Sequence, residues 1–355
     1  MTTSSPAPAL HGTTPADVPG IASVVVNPGG DITVQVAGTA GAGRPVDEAT
    51  TFHACSMAKL VTTIGVLRLV EEGALTLDDD VRDLLGTDAV AVPTDLRAPT
   101  LRELLAHQGG IEDPAGAFEP TAAGSPSAAE ILTGATAAHD GRVSVVRAPG
   151  TGFSYSDAGY VLAERIVEVA TGVPFAAALH RTVVAPLGLT STAFWTGEAA
   201  GPHSPDAARR VAATAATGHD ASGGPVAGNR VHYPGLAASG LWTTPGDLGL
   251  LLRDLGRSLA GDAGTVLLSP ASALAMSEGV GTRGVGLGSF RLAAAHGLCL
   301  MSQGWGAGFQ AQARVYVGDR SAVAVLVAAD PGVPQESSVV GRTVTRLAQR
   351  EGWED

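Results

Sequence analysis

Lysine is nearly absent from this chain: of its 22 basic residues, all but Lys59 are arginine. Arg stays charged inside a protein, whereas a desolvated Lys can lose its proton. A lone lysine kept where Arg serves at every other cationic position is a candidate for chemistry that needs a neutral amine. Cysteine is almost as scarce. Cys55 and Cys299 are the only two, and without a secretory leader they are expected to be reduced, buried thiols. Basic runs are missing too, and the net charge is −12. Binding nucleic acid needs a cationic face to replace the counterions of phosphates, so neither nucleic acid nor a membrane surface is an expected partner. No apolar stretch is long enough to span a bilayer without Gly, Pro or charge interrupting it. The opening MTTSSPAPALHGTTPADVPG has neither the basic start nor the apolar run of a signal peptide. The expected location is therefore cytoplasmic. Nine histidines are scattered without H-E-x-x-H or clustered ligand spacing, so no metal and no other cofactor is expected. A G-x-S-x-G elbow is absent, which leaves the usual α/β-hydrolase triad without its nucleophile.

What is present is ample apolar material. Hydrophobic residues make up 45% of 355, more than one core usually supports, so two lobes are the default. IASVVVN and DITVQVAG read as strands joined by the turn Pro28-Gly29-Gly30. From Met57 to Glu72, Leu60, Ile64, Leu67, Leu69 and Val70 recur at helical spacing, and Gly73 ends the pattern. PTLRELLAH, SAAEILTGATAA and AGYVLAERIVEVATG add further helices, the last stopped by Gly172. Residues 201–232 are rich in Gly, Ala, Asp and His and read as covering loops. GLGSFRL, HGLCLM, FQAQARVYV and SAVAVLVAAD return to strand patterns before a closing helix. Strands at both ends with helices between them predict an α+β fold. In it, one antiparallel sheet is built from N- and C-terminal strands, flanked by helices, with an inserted and mostly helical lobe. The expected division is a discontinuous sheet lobe, 1–60 and 235–355, and a helical lobe, 61–234, with the active site between them.

Three short motifs carry chemistry. Ser56 and Lys59 stand at i and i+3 on the first turn of the helix from Met57, so their side chains share a face. A serine hydroxyl is a weak nucleophile until a neighbouring base takes its proton, and a neutral Lys can do so. The helix N-terminus favours developing negative charge, and the Ser56 N–H can form half of an oxyanion hole. Tyr155-Ser156-Asp157 precedes the helix from Ala158. Tyr155 can shuttle a proton where a nearby cation lowers its pKa; the plainer reading is a helix entrance with Asp157 as cap. Ser302-Gln303-Gly304-Trp305 follows HGLCLM, and a Gly-bearing strand edge lets a ligand lie against the backbone. Trp242 and Trp305 are candidates to line an acyl pocket, with plain core packing as the alternative.

Each motif alone is common, but together and in this order they form a pattern. The chain resembles the serine β-lactamase and penicillin-binding superfamily, in particular the branch holding class C β-lactamases, DD-peptidases and related esterases. HACSMAKLVTTIGVLRLVEEGALTLDDDV, PTLRELLAHQGGI, RAPGTGFSYSDAGYVLAERIVEVATG, LAASGLWTTPGDLGLLL and GWGAGFQ all look like family segments in family order. The resemblance implies Ser56 as nucleophile. Lys59 and Tyr155 would share the acid and base work, the ammonium holding Tyr155 near its phenolate form. The second oxyanion N–H would come from Trp305.

Two departures narrow the implied substrate. Ser302 stands where the family's third motif normally has Lys or His, a cation that helps to bind a substrate carboxylate. Asp157 stands where Asn is commoner; ionised, it can only accept hydrogen bonds, and it is expected to pair with Lys59 or with a substrate amine or hydroxyl. Both changes favour an ester or thioester over penicillin-like amides. The expected function is a serine esterase on a small-molecule ester, with a biosynthetic acyltransferase as the alternative. β-Lactamase or DD-peptidase activity is less favoured, and a non-catalytic binding protein least. The expected partners are a small-molecule acyl donor and water or a nucleophilic acceptor, and the sequence leaves the oligomeric state open.

Overall fold

The apolar run GIASVVV has no polar alternation, which marks a strand covered on both faces, and that is where the fold places it. A computed structural model describes residues 18–120, 126–197, 205–282 and 284–354. The strands in chain order are β1 (Gly20–Val26), β2 (Ile32–Gly41), β3 (Arg44–Pro45), β4 (Phe52–Cys55), β5 (Ile111–Glu112), β6 (Ser144–Val145), β7 (Ala193–Phe194), β8 (Leu241–Thr243), β9 (Phe290–Ala294), β10 (Gly297–Gly306), β11 (Phe309–Tyr316) and β12 (Ser321–Val327). The helices are α1 (Ala58–Glu71), α2 (Val81–Leu85), α3 (Leu101–Leu105), α4 (Ala128–Thr133), α5 (Asp157–Thr171), α6 (Phe175–Leu179), α7 (Pro205–Thr214), α8 (Leu236–Ser239), α9 (Pro245–Leu259), α10 (Pro270–Ser277) and α11 (Val339–Arg350).

Seven strands form one antiparallel sheet in the order β3-β2-β1-β12-β11-β10-β9, so the N-terminal hairpin pairs with the last strand. Successive side chains of a strand point to opposite faces. Ala22, Val24 and Val26 of β1 accordingly join the larger core with Leu248, Leu251, Leu252 and Leu255 of α9. Ile21 and Val25 face the other way and pack with Val340, Val344, Leu347 and Ala348 of α11. This is the α+β architecture expected from strands at both ends of the chain. Among the described residues, no helix is long and apolar enough to cross a membrane. Cys55 and Cys299 are unpaired, buried thiols.

Two readings of the sequence are corrected. The stretch 201–232 is not all loop: α7 runs through PDAARRVAAT, although residues 201–204 lie outside the described residues. Its Ala and Gly content hid an apolar stripe, because Ala207 and Ala208 sit one turn before Val211 and all three are buried. The SQGW segment does not follow a strand but lies inside β10, which runs on to Gly306.

Helix α1 threads the centre of the molecule, with Ala58 through Leu67 all buried. The short helix α8 braces it. Thr62 Oγ1 donates to the Ala237 carbonyl at 2.9 Å, and Lys59 Nζ to the Ala238 carbonyl at 3.0 Å. At the other end of α8, the buried Glu164 of α5 accepts the Ala237 N–H at 2.8 Å. Burial pushes the Glu164 carboxyl up to about 8, although the N–H groups of Ala237 and Leu236 favour its ionised form.

A folded state that keeps a proton the unfolded chain releases loses stability as pH rises through the window between the two pKa values. For Glu164 that window runs from about 4.5 to about 8. Glu164→Gln keeps an acceptor for α8 and removes the titration. Calorimetric Tm values across pH 5–9 are expected to show the wild type losing ground to this variant up to about pH 8 and level above it. A difference independent of pH would refute the assignment.

Candidate active site

The site begins where β4 becomes α1. Cys55, the last residue of β4, takes a left-handed φ of +48°, which a non-glycine residue adopts only under constraint. The chain then turns tightly, with the Met57 N–H donating to the Ala54 carbonyl and the Lys59 N–H to the Ser56 carbonyl, both at 3.1 Å. Ser56 thus sits in the turn just before α1 and not in the helix's first turn, yet Lys59 Nζ still reaches Ser56 Oγ at 3.3 Å. Strand β10 lies against this corner because residue 304 is glycine. A Cβ there would stand 2.0 Å from the Ala54 carbonyl oxygen, a distance no side chain can hold. The close approach brings Ser302, Gln303, Gly304 and Trp305 alongside Ser56.

Lys59 is 3% exposed and fully engaged. Its Nζ donates to Asp157 Oδ1 at 2.6 Å, to the Ala238 carbonyl at 3.0 Å and to Ser56 Oγ, and lies 4.7 Å from the centre of the Tyr155 ring. Burial favours the neutral amine, but the Asp157 carboxylate and then Tyr155 outweigh it and hold Lys59 above the ordinary lysine range. In this arrangement Lys59 is an ammonium that donates to Ser56 and has no lone pair with which to accept its proton. The pairing of Asp157 with Lys59 expected from the sequence is present.

Tyr155 and Asp157 are held by the entrance to α5. Ser156, not Asp157, caps the helix, its Oγ accepting the Gly159 N–H at 3.0 Å. Asp157 is the first helical residue, which frees its side chain for Lys59. Asp113 anchors the turn through Ser156 Oγ and the N–H groups of Asp157 and Ala158, at 2.8 to 2.9 Å. His107 was not foreseen. Its ring stacks on that of Tyr155 at 4.3 Å between centroids, and burial, with the Lys59 charge, keeps its pKa well below the ordinary histidine range. It follows the helix end LLA and precedes Gln108-Gly109-Gly110, a local string with no sequence signal for this role.

A cleft of about 430 Å³ opens over Ser56, walled by Tyr155, Asp157, Phe290, Trp305 and Pro334. A narrower recess of about 20 Å³ runs inward past Lys59, His107 and Ser302. The Trp305 ring is 47% exposed in the cleft and anchored by Nε1 donating to Asp330 Oδ1 at 2.7 Å. Trp242 lies elsewhere. It is 0% exposed, stacked on His53 at 4.8 Å and edge-on to Trp195 and Phe309. As a substrate-binding candidate it is corrected to core, since on β8, beside β4 and opposite His53, it is packed among His53, Trp195 and Phe309. Among the described residues, no group of three or more His, Cys, Asp or Glu side chains is placed to hold a metal ion.

A family model described as Beta-lactamase matches residues 12–340. The chain belongs to the Beta-lactamase family. Its relatives are members of the serine β-lactamase/transpeptidase-like superfamily. Penicillin-binding protein 4 of Amycolatopsis lactamdurans is 35% identical over 175 residues, covering 48% of this chain and 44% of that protein. Esterase EstB of Burkholderia gladioli is 33% identical over 169 residues, covering 44% and 42%. The chain thus matches less than half the length of these curated relatives. Among solved structures, one described as "EstCE1, a hydrolase with promiscuous acyltransferase activity" superposes with a TM-score of 0.69 at 18% identity, over 92% of this chain and 91% of that one. At that identity the likeness shows the shared fold.

Because Lys59 is the only lysine, its Nζ resonance can be followed without ambiguity in labelled protein. In Asp157→Asn the burial that favours neutral amine loses its main opponent. The Lys59 titration midpoint is expected to fall by at least about one unit relative to wild type by NMR. An unchanged midpoint would show that Asp157 does not hold the charge.

Proposed function

We propose that the protein is a serine esterase that forms an acyl-enzyme on Ser56 from a small-molecule ester. The observation that carries this reading is the Ser56 Oγ–Lys59 Nζ–Asp157 chain, at 3.3 and 2.6 Å, beside Tyr155 on one wall of the cleft. Ser56 Oγ attacks the ester carbonyl carbon. Lys59 is already protonated, so Tyr155 takes the Ser56 proton as a phenolate, with the adjacent ammonium offsetting the negative charge on its oxygen. The backbone N–H groups of Ser56 and Trp305 receive the carbonyl oxygen as it becomes an oxyanion. Collapse breaks the C–O bond to the leaving alcohol, which takes that proton from Tyr155. Water, giving its proton to Tyr155, then attacks the acyl-enzyme, and the proton returns to Ser56 as the acid leaves.

Esters are favoured over β-lactams and D-alanyl peptides on two grounds. Ser302 supplies a hydroxyl where a carboxylate-bearing substrate would need a cation, and the Asp157 carboxylate would repel that substrate. Curated EstB is named an esterase, which is consistent with this choice. An acyltransferase is the second reading. The cleft has room beside Ser56 for an acceptor flanked by Phe290, Trp305 and Pro334, and EstCE1 is described as having promiscuous acyltransferase activity. In that case an amine or alcohol, in place of water, resolves the same intermediate.

Intact-mass spectrometry with a p-nitrophenyl ester and a fluorophosphonate tests the proposal. Wild type is expected to gain one adduct and Ser56→Ala none; an unlabelled wild type would overturn it. Faster turnover on adding an amine or alcohol, with acyl-acceptor product, would assign the transferase instead. Tyr155→Phe is expected to slow acylation about 10²–10⁴-fold, the usual worth of a positioned proton-transfer group, measured by stopped-flow release of p-nitrophenolate.

A further inference from the structure

Tyr155 sits in a loop with its side chain 43% exposed, a poor setting for a group that must move a proton over a fixed distance. One residue outside the three motifs supplies the missing constraint. The His107 carbonyl accepts the Ser154 N–H at 2.8 Å, and His107 Nδ1 accepts the Ser156 N–H at 3.1 Å. These bonds seize the residues on either side of Tyr155. The ring of the same histidine then lies under the Tyr155 ring, 4.3 Å away with the planes 26° apart. Three contacts from one residue fix the position, height and tilt of the phenol. We infer that His107 is the positioning residue for Tyr155, and so for proton exchange with Ser56; the inference rests on the acyl-enzyme reading above.

Plain core packing does not account for these features. His107 holds a left-handed φ of +56°, a conformation that Gly109 or Gly110, two and three residues on, would adopt without steric cost. That backbone lets the carbonyl and the ring nitrogen both address the 154–156 segment, so the strained residue is the one whose side chain is used. An aliphatic side chain would fill the space equally well but would leave the Ser156 N–H unpaired, and a buried donor without an acceptor is costly. The accepting Nδ1 also fixes the tautomer, with the ring proton on Nε2. Burial, and then the Lys59 charge nearby, disfavour a second proton, so the ring stays an acceptor. The backing is firm as well: the neighbouring Gln108 carbonyl takes the Gly150 N–H at 2.8 Å, and Tyr160, 5.3 Å from the His107 ring, is tied by its hydroxyl to the Leu105 carbonyl at 2.9 Å.

Two variants separate positioning from packing. His107→Gly accepts the left-handed backbone and removes both ring and acceptor. His107→Asn also tolerates that backbone and returns an acceptor close to where Nδ1 stood. Turnover of a neutral p-nitrophenyl ester is normalised to the Ser56 sites that react with fluorophosphonate, so misfolded protein does not count. The Gly variant is expected to lose about tenfold to a hundredfold in kcat, the scale of an ångström-level misplacement of a reacting group, with KM within about threefold of wild type. The Asn variant is expected to recover a clear part of that loss. Equal kcat per reactive site in wild type and His107→Gly would overturn the inference, as would a Gly defect confined to KM or one that Asn does not relieve. Failure of wild-type Ser56 to label at all would instead overturn the acyl-enzyme reading, and this inference with it.

Discussion

A buried ammonium must be given back the hydrogen bonds and counter-charge that water supplied, and Lys59 recovers them from three separate elements. Asp157 comes from the start of α5, the Ala238 carbonyl from the end of α8, and Ser56 from the turn before its own helix. Each donor–acceptor bond therefore also fixes a tertiary relation between elements. Taking away one partner of a buried ion pair costs on the order of 3–5 kcal/mol because it strands the other, comparable with much of a domain's net stability. Glu164 extends the same constraint. It steadies the opposite end of α8, so the carbonyl that Lys59 needs is set by a second buried acid.

The sheet contributes the other half of the site through proximity. At Gly304 the backbone of β10 presses against Ala54, and the Gly304 carbonyl is in turn taken by Gln335 Nε2 at 2.5 Å. Facing it, Cys55 carries its left-handed φ, so Ser56 is turned out of β4 towards β10. A helix N-terminus and a strand edge then converge on one hydroxyl. That convergence is what an acyl-transfer site requires, since the nucleophile and the groups that receive the oxyanion must be placed before charge develops.

Periodicity made the sheet legible. β1 and β12 are continuous apolar runs because both faces are covered, and the closing helix shows the stripe that covers one of them. Ser56, Lys59, Tyr155 and Asp157 were legible because their motifs are short and local, and the expected ion pair is present. His107 was not, since nothing in the string LLAHQGG says that a carbonyl and a ring nitrogen will reach across to residues 154 and 156. Trp242 misled for the converse reason. Its place in SGLW is near the site in sequence, but the alternation of β8 turns it inward, onto His53. α7 was hidden by composition, where small residues look like loop until their one-turn spacing is weighed.

The two departures from the family pattern act in one direction. Asp157 in place of Asn adds a negative charge, and Ser302 in place of Lys or His removes a positive one. Both changes raise the cost of bringing a substrate carboxylate to Ser56, and both favour keeping a proton on Lys59. The same pair of changes thus links substrate choice to the division of labour. With Lys59 held as a cation by Asp157, the proposed mechanism gives proton exchange to Tyr155, and its placement becomes the demanding element of the site. That placement is not left to the Tyr155 side chain, which is half open to solvent. It is taken over by the rigid loop behind it, where His107 spends a strained backbone conformation to hold both neighbours of the phenol at once.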